Sequence, residues 1–258
     1  MGSNFKTYIF MGVVTLISSL LLSYSYSSLK NLTKENIEFD IKRNIIKSVG
    51  YSITTMSKDD INANYDANIT EMILDKNNRM LSGVLWSDLV GVEDRKNGLT
   101  YFVNKSDKIK FNMVENKDTD TSIKSYLPIF FHSDKQVFVI PISGKGLWST
   151  LFGFIAIGKD GNTVKGIAFY KHKETPGLGG EVDKKWFQNN FIGKKIFKDD
   201  KLVSVKVIKG TTDALSATDQ NHAVDGITGA TITSKGLSSF LLRDLARYEN
   251  FLRNPHVK

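Results

Sequence analysis

Cysteine is absent from the 258 residues. That excludes disulfides, thiolate nucleophiles, cysteine-ligated zinc and protein-held iron–sulfur clusters. It leaves the compartment unread, because a chain without cysteine is tolerated in any redox setting. Histidine is scarce: His132, His172, His222 and His256 are the four present, so no multi-histidine metal centre is expected. The chain has no G-x-G-x-x-G fingerprint and no glycine loop ending in Lys-Ser/Thr, so neither a dinucleotide fold nor a P-loop is indicated. No internal repeat is found. What is there is a globular composition, 41% hydrophobic and 24% charged, long enough for one large domain or two small ones. Lys and Arg number 35 against 27 acidic residues, a net charge of +8. The excess carries no nucleic-acid-binding motif, so no nucleic-acid partner is expected.

Between Lys6 and Lys30 no residue is charged, and Tyr8 to Leu22 is nearly continuous apolar sequence. Fifteen helical residues reach only about 22 Å, short of a hydrocarbon core of about 30 Å. Extension through Tyr24, Ser25, Tyr26 and Leu29 makes up the difference, since Ser bonds back to its helix and Tyr suits the interface. A cleaved signal peptide fits less well, with one lysine in the n-region and only Ser25-Tyr26-Ser27 as a cleavage site. An uncleaved single-pass anchor over residues 1–29 is therefore expected. Flanking charges do not set its orientation, because Lys6 precedes the span while Lys30, Lys34, Lys42 and Arg43 follow it.

Leu32, Ile37, Ile41, Ile45, Ile46 and Val49 recur at helical steps, which predicts an amphipathic helix leaving the membrane. Residues 50–135 are polar, with weak patterning, so 30–135 reads as that helix plus a poorly determined α+β region. Beyond it, Gln136–Ile142, Phe152–Ile157 and Thr163–Tyr170 read as strands, the last two joined by a turn at Lys159-Asp160-Gly161-Asn162. Asp183–Asn190 reads as a short helix and Lys201–Ile208 as a half-buried strand. Leu237, Phe240, Leu241, Leu245, Tyr248 and Leu252 mark a closing helix from Ser234. The predicted class is α+β: one transmembrane helix, then a domain of hairpin-connected strands.

Two segments ask for more than scaffold. In His172-Lys173-Glu174-Thr175-Pro176-Gly177-Leu178-Gly179-Gly180-Glu181, three glycines in four positions let backbone approach a flat or phosphorylated ligand, though an ordinary strand-to-helix turn would look the same. In Asp225-Gly226-Ile227-Thr228-Gly229-Ala230-Thr231-Ile232-Thr233-Ser234, small residues and hydroxyls end where a helix begins. Thr233 or Ser234 could simply cap it. The same geometry makes an anion site.

Asp225-x-x-Thr228-Gly229-Ala230-Thr231 resembles the flavinylation motif of the FMN-binding domain found in bacterial respiratory complexes. The resemblance implies FMN joined by phosphodiester to the Thr231 hydroxyl, installed by a flavin transferase that uses FAD as donor. Ile227-Thr228 departs from the Ser that often precedes Gly-Ala-Thr, but keeps a hydroxyl. The loop 172–181, Gly144-Lys145-Gly146-Leu147-Trp148-Ser149, Trp186 with Gly193-Lys194, the length and the single span resemble the family of C subunits of Na⁺-translocating NADH:quinone reductases. This makes residues 136–258 an FMN-binding domain. Implied ligands of FMN are Leu147, Trp148, Glu174, Thr175, Leu178, Gly179, Lys209, Thr228, Gly229 and Ala230. Trp148 and Leu147 could instead be core, Glu174 and Thr175 could merely hold the loop, and Lys209 could be a solvated lysine.

The resemblance also implies a setting: a complex of six subunits in the bacterial inner membrane, with this domain on the periplasmic or outer side. Electrons would come from NADH at another subunit and end on ubiquinone, Na⁺ export belonging to the whole complex. This chain would relay electrons and not be catalytic alone. The alternatives are the G subunit of the Rnf ferredoxin:NAD⁺ oxidoreductase, another membrane-anchored extracytoplasmic flavin carrier, or a structural anchored subunit whose Thr-Gly-Ala-Thr is only a cap.

Overall fold

A computed structural model of the chain describes residues 2–114 and 124–256. By contact it divides into two units, residues 1–42 and 43–258. The first is helical. Helix α1 runs Gly2–Ser48, so the apolar stretch and the amphipathic stretch form one element, as their patterning predicts. Tyr8, Ile9, Phe10, Leu16, Leu20, Leu21 and Leu22 are all exposed, the all-round apolar surface of a helix suited to lipid. Thr15 Oγ donates to the Met11 carbonyl at 2.8 Å and Ser19 Oγ to Leu16 at 2.9 Å, satisfying those hydroxyls on their own helix. The helix is long and apolar enough to cross a membrane.

The second unit is built on a seven-stranded antiparallel sheet. After α2 (Lys58–Asn68) come β1 (Ile69–Leu74), β2 (Leu89–Glu93), β3 (Thr100–Asn104), the short α3 (Lys108–Met113), β4 (Ser125–His132), β5 (Val137–Lys145), β6 (Thr150–Gly158) and β7 (Val164–Lys171). The spatial order is β2-β3-β4-β5-β6-β7, with β1 also pairing β4. The antiparallel pairing of β5 with β6 ends at Lys145 opposite Thr150, which leaves Gly146–Ser149 as the turn of a long hairpin. β5, β6 and β7 lie where the sequence predicts strands. Four of the seven strands, β1 to β4, fall in the weakly patterned 50–135 region, of which 115–123 lies outside the described residues.

Beyond β7 the chain makes a 3-10 turn (Gly179–Asp183), α4 (Lys185–Asn189), β8 (Phe197–Lys198), β9 (Lys201–Leu202), β10 (Lys206–Val207), α5 (Ala217–Gln220) and β11 (Ala223–Val224). Then come α6 (Thr231–Arg247) and α7 (Glu249–Arg253). The strand expected over 201–208 is broken in two. Ser204 has φ +60, a left-handed turn that takes β9 out of its pairing with β8 and starts β10, which runs parallel to β11. The closing helix begins at Thr231, three residues before the expected start.

One core joins α6 to the sheet: Leu237, Phe240, Leu241 and Leu245 pack with Ile140, Ile142, Leu151, Ile155, Ile157 and Phe169, all buried. Two glycines set how close the helix lies. A Cβ at Gly144 would stand 2.2 Å from Phe240 Cβ, and one at Gly236 would stand 2.1 Å from the Lys145 carbonyl oxygen. The first turns of α6 are thereby pressed onto the end of β5, beside the 146–149 turn. At the other end of the unit Ile45, Ile46 and Val49 are buried, and the Ser48 carbonyl approaches β7 at Gly166, where a Cβ would stand 2.2 Å away.

Candidate functional site

The N-terminus of α6 is where the two singled-out segments meet. Its cap residue is Ala230, whose side chain has nothing to donate or accept. Neither expected cap does that job. Thr233 Oγ donates to Glu174 Oε2 at 2.7 Å. The Ser234 hydroxyl is buried without a hydrogen-bond partner. The first intrahelical bond runs from Ser234 N–H to the Ala230 carbonyl, 2.9 Å, so the first turn presents uncapped N–H groups at the positive end of a 17-residue helix. Thr231, the first helical residue, is exposed.

A cleft of about 1080 Å³ opens at this turn, and its lining includes Thr228, Gly229, Thr231 and Lys209 from the predicted set. Gly177, Glu181, Trp186, Asp225, Ser234 and Lys235 complete much of the wall. The far side is held by the motif aspartate. Asp225 accepts the Thr212 N–H at 2.8 Å and its hydroxyl at 2.9 Å. Gly226 N–H donates to the Gly210 carbonyl at 2.9 Å, and a Cβ at Gly226 would stand 2.1 Å from the Ile208 carbonyl oxygen. Those contacts keep the 208–212 segment, with Lys209, alongside 225–227. Trp186 is half exposed, its indole N–H bonded to Glu181 Oε2 at 3.0 Å.

The remaining predicted residues, Leu147, Trp148, Glu174, Thr175, Leu178, Gly179 and Ala230, are not among those that line this cleft. Leu147 is 46% and Trp148 71% exposed, which removes both from the core. Leu178 is exposed, and a Cβ at Gly229 would touch its Cδ2 at 2.7 Å, so it borders the Thr228–Thr231 segment. Thr175 is exposed and builds its own loop, its carbonyl accepting Leu178 N–H at 3.1 Å and Gly180 N–H at 2.9 Å. Gly177 carries the positive φ of that loop, +76. Gly179 is needed for space instead: a Cβ there would stand 2.6 Å from Thr233 Oγ and 2.8 Å from Glu174 Oε2. Ala230 is buried beneath the turn. His172 is a hydrogen-bonding residue of the loop, accepting the Glu174 N–H at 3.2 Å.

Glu174 is buried and its carboxylate is crowded with protein donors. Leu147 N–H (3.1 Å), Trp148 N–H (3.0 Å), Ser149 N–H (3.0 Å), Ser149 Oγ (3.1 Å) and Thr233 Oγ (2.7 Å) all point at it. Burial opposes its ionisation, but the Thr233 hydroxyl and the three turn N–H groups outweigh that and hold the carboxyl below its ordinary value.

Sequence reasoning missed Ser234 and Lys235 as cleft residues. They stand three and four positions after Thr231, where a helix puts neighbours on one face, so the spacing contained the signal once the helix start was known. Glu181, at the end of the 172–181 loop, and Trp186, in α4, stand in segments that sequence reasoning singled out, but neither was named as a ligand.

The arrangement suits a phosphorylated ligand. It offers uncapped N–H groups, an unpartnered buried hydroxyl at Ser234, Lys209 and Lys235, and an exposed nucleophilic hydroxyl at Thr231. Among the described residues no cluster of His, Asp or Glu could hold a metal.

Comparison with known proteins identifies the family. The family model of the FMN-binding domain matches residues 146–243, the span from the β5–β6 turn to α6. The C subunit of the Na(+)-translocating NADH-quinone reductase from Pseudomonas aeruginosa is 33% identical over 254 residues, 98% of this chain and 96% of that one. The corresponding C subunit of Vibrio anguillarum is 48% identical over 99 residues, 38% of this chain and 37% of its own. The solved C subunit of Parabacteroides distasonis superposes with TM-score 0.67 at 28% identity, covering 88% of this chain and 98% of that one.

Proposed function

We propose a function from one premise: this chain belongs to the family of C subunits of Na(+)-translocating NADH-quinone reductases. As a member it is a membrane-anchored, FMN-binding subunit of an oxidoreductase complex. Our reading is that it carries one FMN on Thr231 and relays electrons inside an assembly of six subunits whose overall reaction oxidises NADH, reduces ubiquinone and exports Na⁺. The flavin, when bound, supplies one-electron as well as two-electron transfer, which is what a relay between unlike partners requires.

The residues supply the rest. In the attachment that a flavin transferase would perform, Thr231 Oγ would be the nucleophile towards the flavin-side phosphorus of FAD, with AMP as the leaving group. One P–O bond forms, one breaks, and the hydroxyl proton leaves with AMP. The first-turn N–H groups of α6, the Ser234 hydroxyl and the Lys209 and Lys235 ammonium groups would then hold the phosphodiester. Thr228 and Gly229 would border the phosphate beside Thr231, with Gly229 leaving room for Leu178 and Ala230 buried beneath. Leu147, Trp148, Leu178 and Thr175, all exposed, would lie against the flavin beyond the cleft, with Glu174 and Gly179 holding the loops that carry them. The domain belongs on the outer side of the bacterial inner membrane in this reading, which rests on family membership and not on the flanking charges.

The observation that carries the reading is Thr231 itself, an exposed hydroxyl on the first turn of an uncapped helix with an unpartnered buried serine one turn on. Helix-terminal attraction for an anion is worth about 0.3–1 kcal/mol when exposed and up to about 2 when partly buried, too little to retain a cofactor where free flavin is dilute. Covalent attachment answers that. Thr231→Ala, co-expressed with a transferase, should yield a folded chain with no flavin fluorescence after denaturing electrophoresis. A fluorescent Thr231→Ala band would overturn the assignment.

A further inference from the structure

We propose that Glu174 is a positioning residue, whose carboxylate locks the Gly146–Ser149 turn onto the first turn of α6. This rests on the reading of Thr231 above only for its functional meaning; the lock itself is a property of the polypeptide. Its five donors come from two places far apart in sequence. Four belong to the hairpin turn, 25 to 27 residues before Glu174, and the fifth is Thr233, 59 residues after it.

The surroundings are shaped for the carboxylate. A Cβ at Gly146 would stand 2.7 Å from Glu174 Oε1, and one at Gly179 would stand 2.8 Å from Oε2. One glycine from each motif loop, Gly146 and Gly179, therefore faces one carboxylate oxygen, and a larger side chain at either would displace the group. Among the described residues no lysine, arginine or histidine forms an ion pair with Glu174. The negative charge is met by hydrogen-bond donors and by the positive end of α6. A carboxylate so fully engaged has little capacity left for a ligand. What it does instead is fix two exposed side chains, Leu147 and Trp148, relative to the turn that bears Thr231. The turn has few other ties: within it, the Gly146 N–H bonds the Ser149 carbonyl at 2.8 Å, and the Ser149 hydroxyl accepts the Lys173 N–H at 2.8 Å.

The test uses the full-length chain in detergent with Trp86→Phe and Trp186→Phe, so that Trp148 is the one emitting tryptophan of the three. Glu174→Gln and Thr233→Val are added singly, each without flavin and after loading by a transferase. The charge-neutral Glu174→Gln should still melt cooperatively, with Trp148 emission anisotropy falling towards that of a mobile loop. Thr233→Val keeps the charge and cuts one donor, so a smaller fall in the same direction is expected from it. In the loaded chains the flavin absorption spectrum should shift in both variants. Because Thr233→Val retains the carboxylate, its shift cannot come from lost charge. If both variants lower the melting temperature but leave Trp148 anisotropy and the flavin spectrum as in the parent, Glu174 is only a stabilising residue and the proposal falls. If Glu174→Gln does not fold, Thr233→Val decides alone by the same readouts. The anisotropy is read without flavin, so failure of attachment at Thr231 would leave this result standing.

Discussion

Thr231, Thr233 and Ser234 occupy one helical turn, and each hydroxyl has a different situation: exposed, bonded to Glu174, and buried without a partner. A buried unpaired hydroxyl costs about 1–3 kcal/mol. Ser234→Ala should therefore raise the melting temperature of the chain without flavin. In the flavin-loaded chain it should lower it, because a donor to the phosphodiester is lost. Melting curves of both forms check the pair of signs; the same sign in both would remove Ser234 from the site. Glu174 makes a pH prediction. Its folded-state pKa is depressed below the ordinary 4.5. The stability it contributes is thus complete above that value and disappears as pH falls through the folded value. The difference in melting temperature between the parent and Glu174→Gln should shrink on acidification from pH 7 towards about 3, and a constant difference would contradict it. The segment around Thr231 was legible as the approach to a helix, because loop glycines and hydroxyls ahead of a helix carry a local signature. The same signature predicted a cap at Thr233 or Ser234 that the structure does not make. The engagement of Glu174 was not legible, since its donors lie 25 to 59 residues away and only the fold brings them together.

At the scale of elements, the site is placed by α6 lying on β5. Gly236→Val would put side-chain atoms into the Lys145 carbonyl, 2.1 Å from the Cβ position, and lift the helix start from the 146–149 turn. Overpacking of this kind typically costs 1–3 kcal/mol, about the scale expected here. Urea unfolding should show that loss together with reduced flavin loading; unchanged stability would mean the helix does not bear on β5 as described. The α6 face was readable from its 3.6-residue period, and β5, β6 and β7 from short apolar runs bounded by turn residues. β1 was not, because its first half is open to solvent while Met72 and Leu74 are buried in the main core and Ile73, on the other face, in a second one with Leu89 and Phe102, so no alternation survives. Lys201–Ile208 misled for the opposite reason. It alternates like a strand, but the left-handed backbone at Ser204 and the two-residue pairings on either side are tertiary features that no period announces.

For the whole molecule the division into an anchor unit and a sheet unit makes truncation informative. Removal of residues 1–28 should release a soluble domain with a single cooperative unfolding transition. Removal of residues 1–49 also takes Ile45, Ile46 and Val49, all buried in the second unit, each worth about 1.5–3 kcal/mol of burial. The shorter chain should be less stable by roughly that sum, and equal stability of the two would contradict the packing of the α1 end. The claim on which the functional account turns is the covalent one, and mass spectrometry of proteolytic peptides from the intact membrane complex tests it most directly. The account predicts the added mass of FMN, less one water, on the peptide containing Asp225–Ser234, with fragment ions assigning it to Thr231. FMN on Thr228 or Thr233, or an unmodified peptide from a complex matured with its transferase, would contradict it.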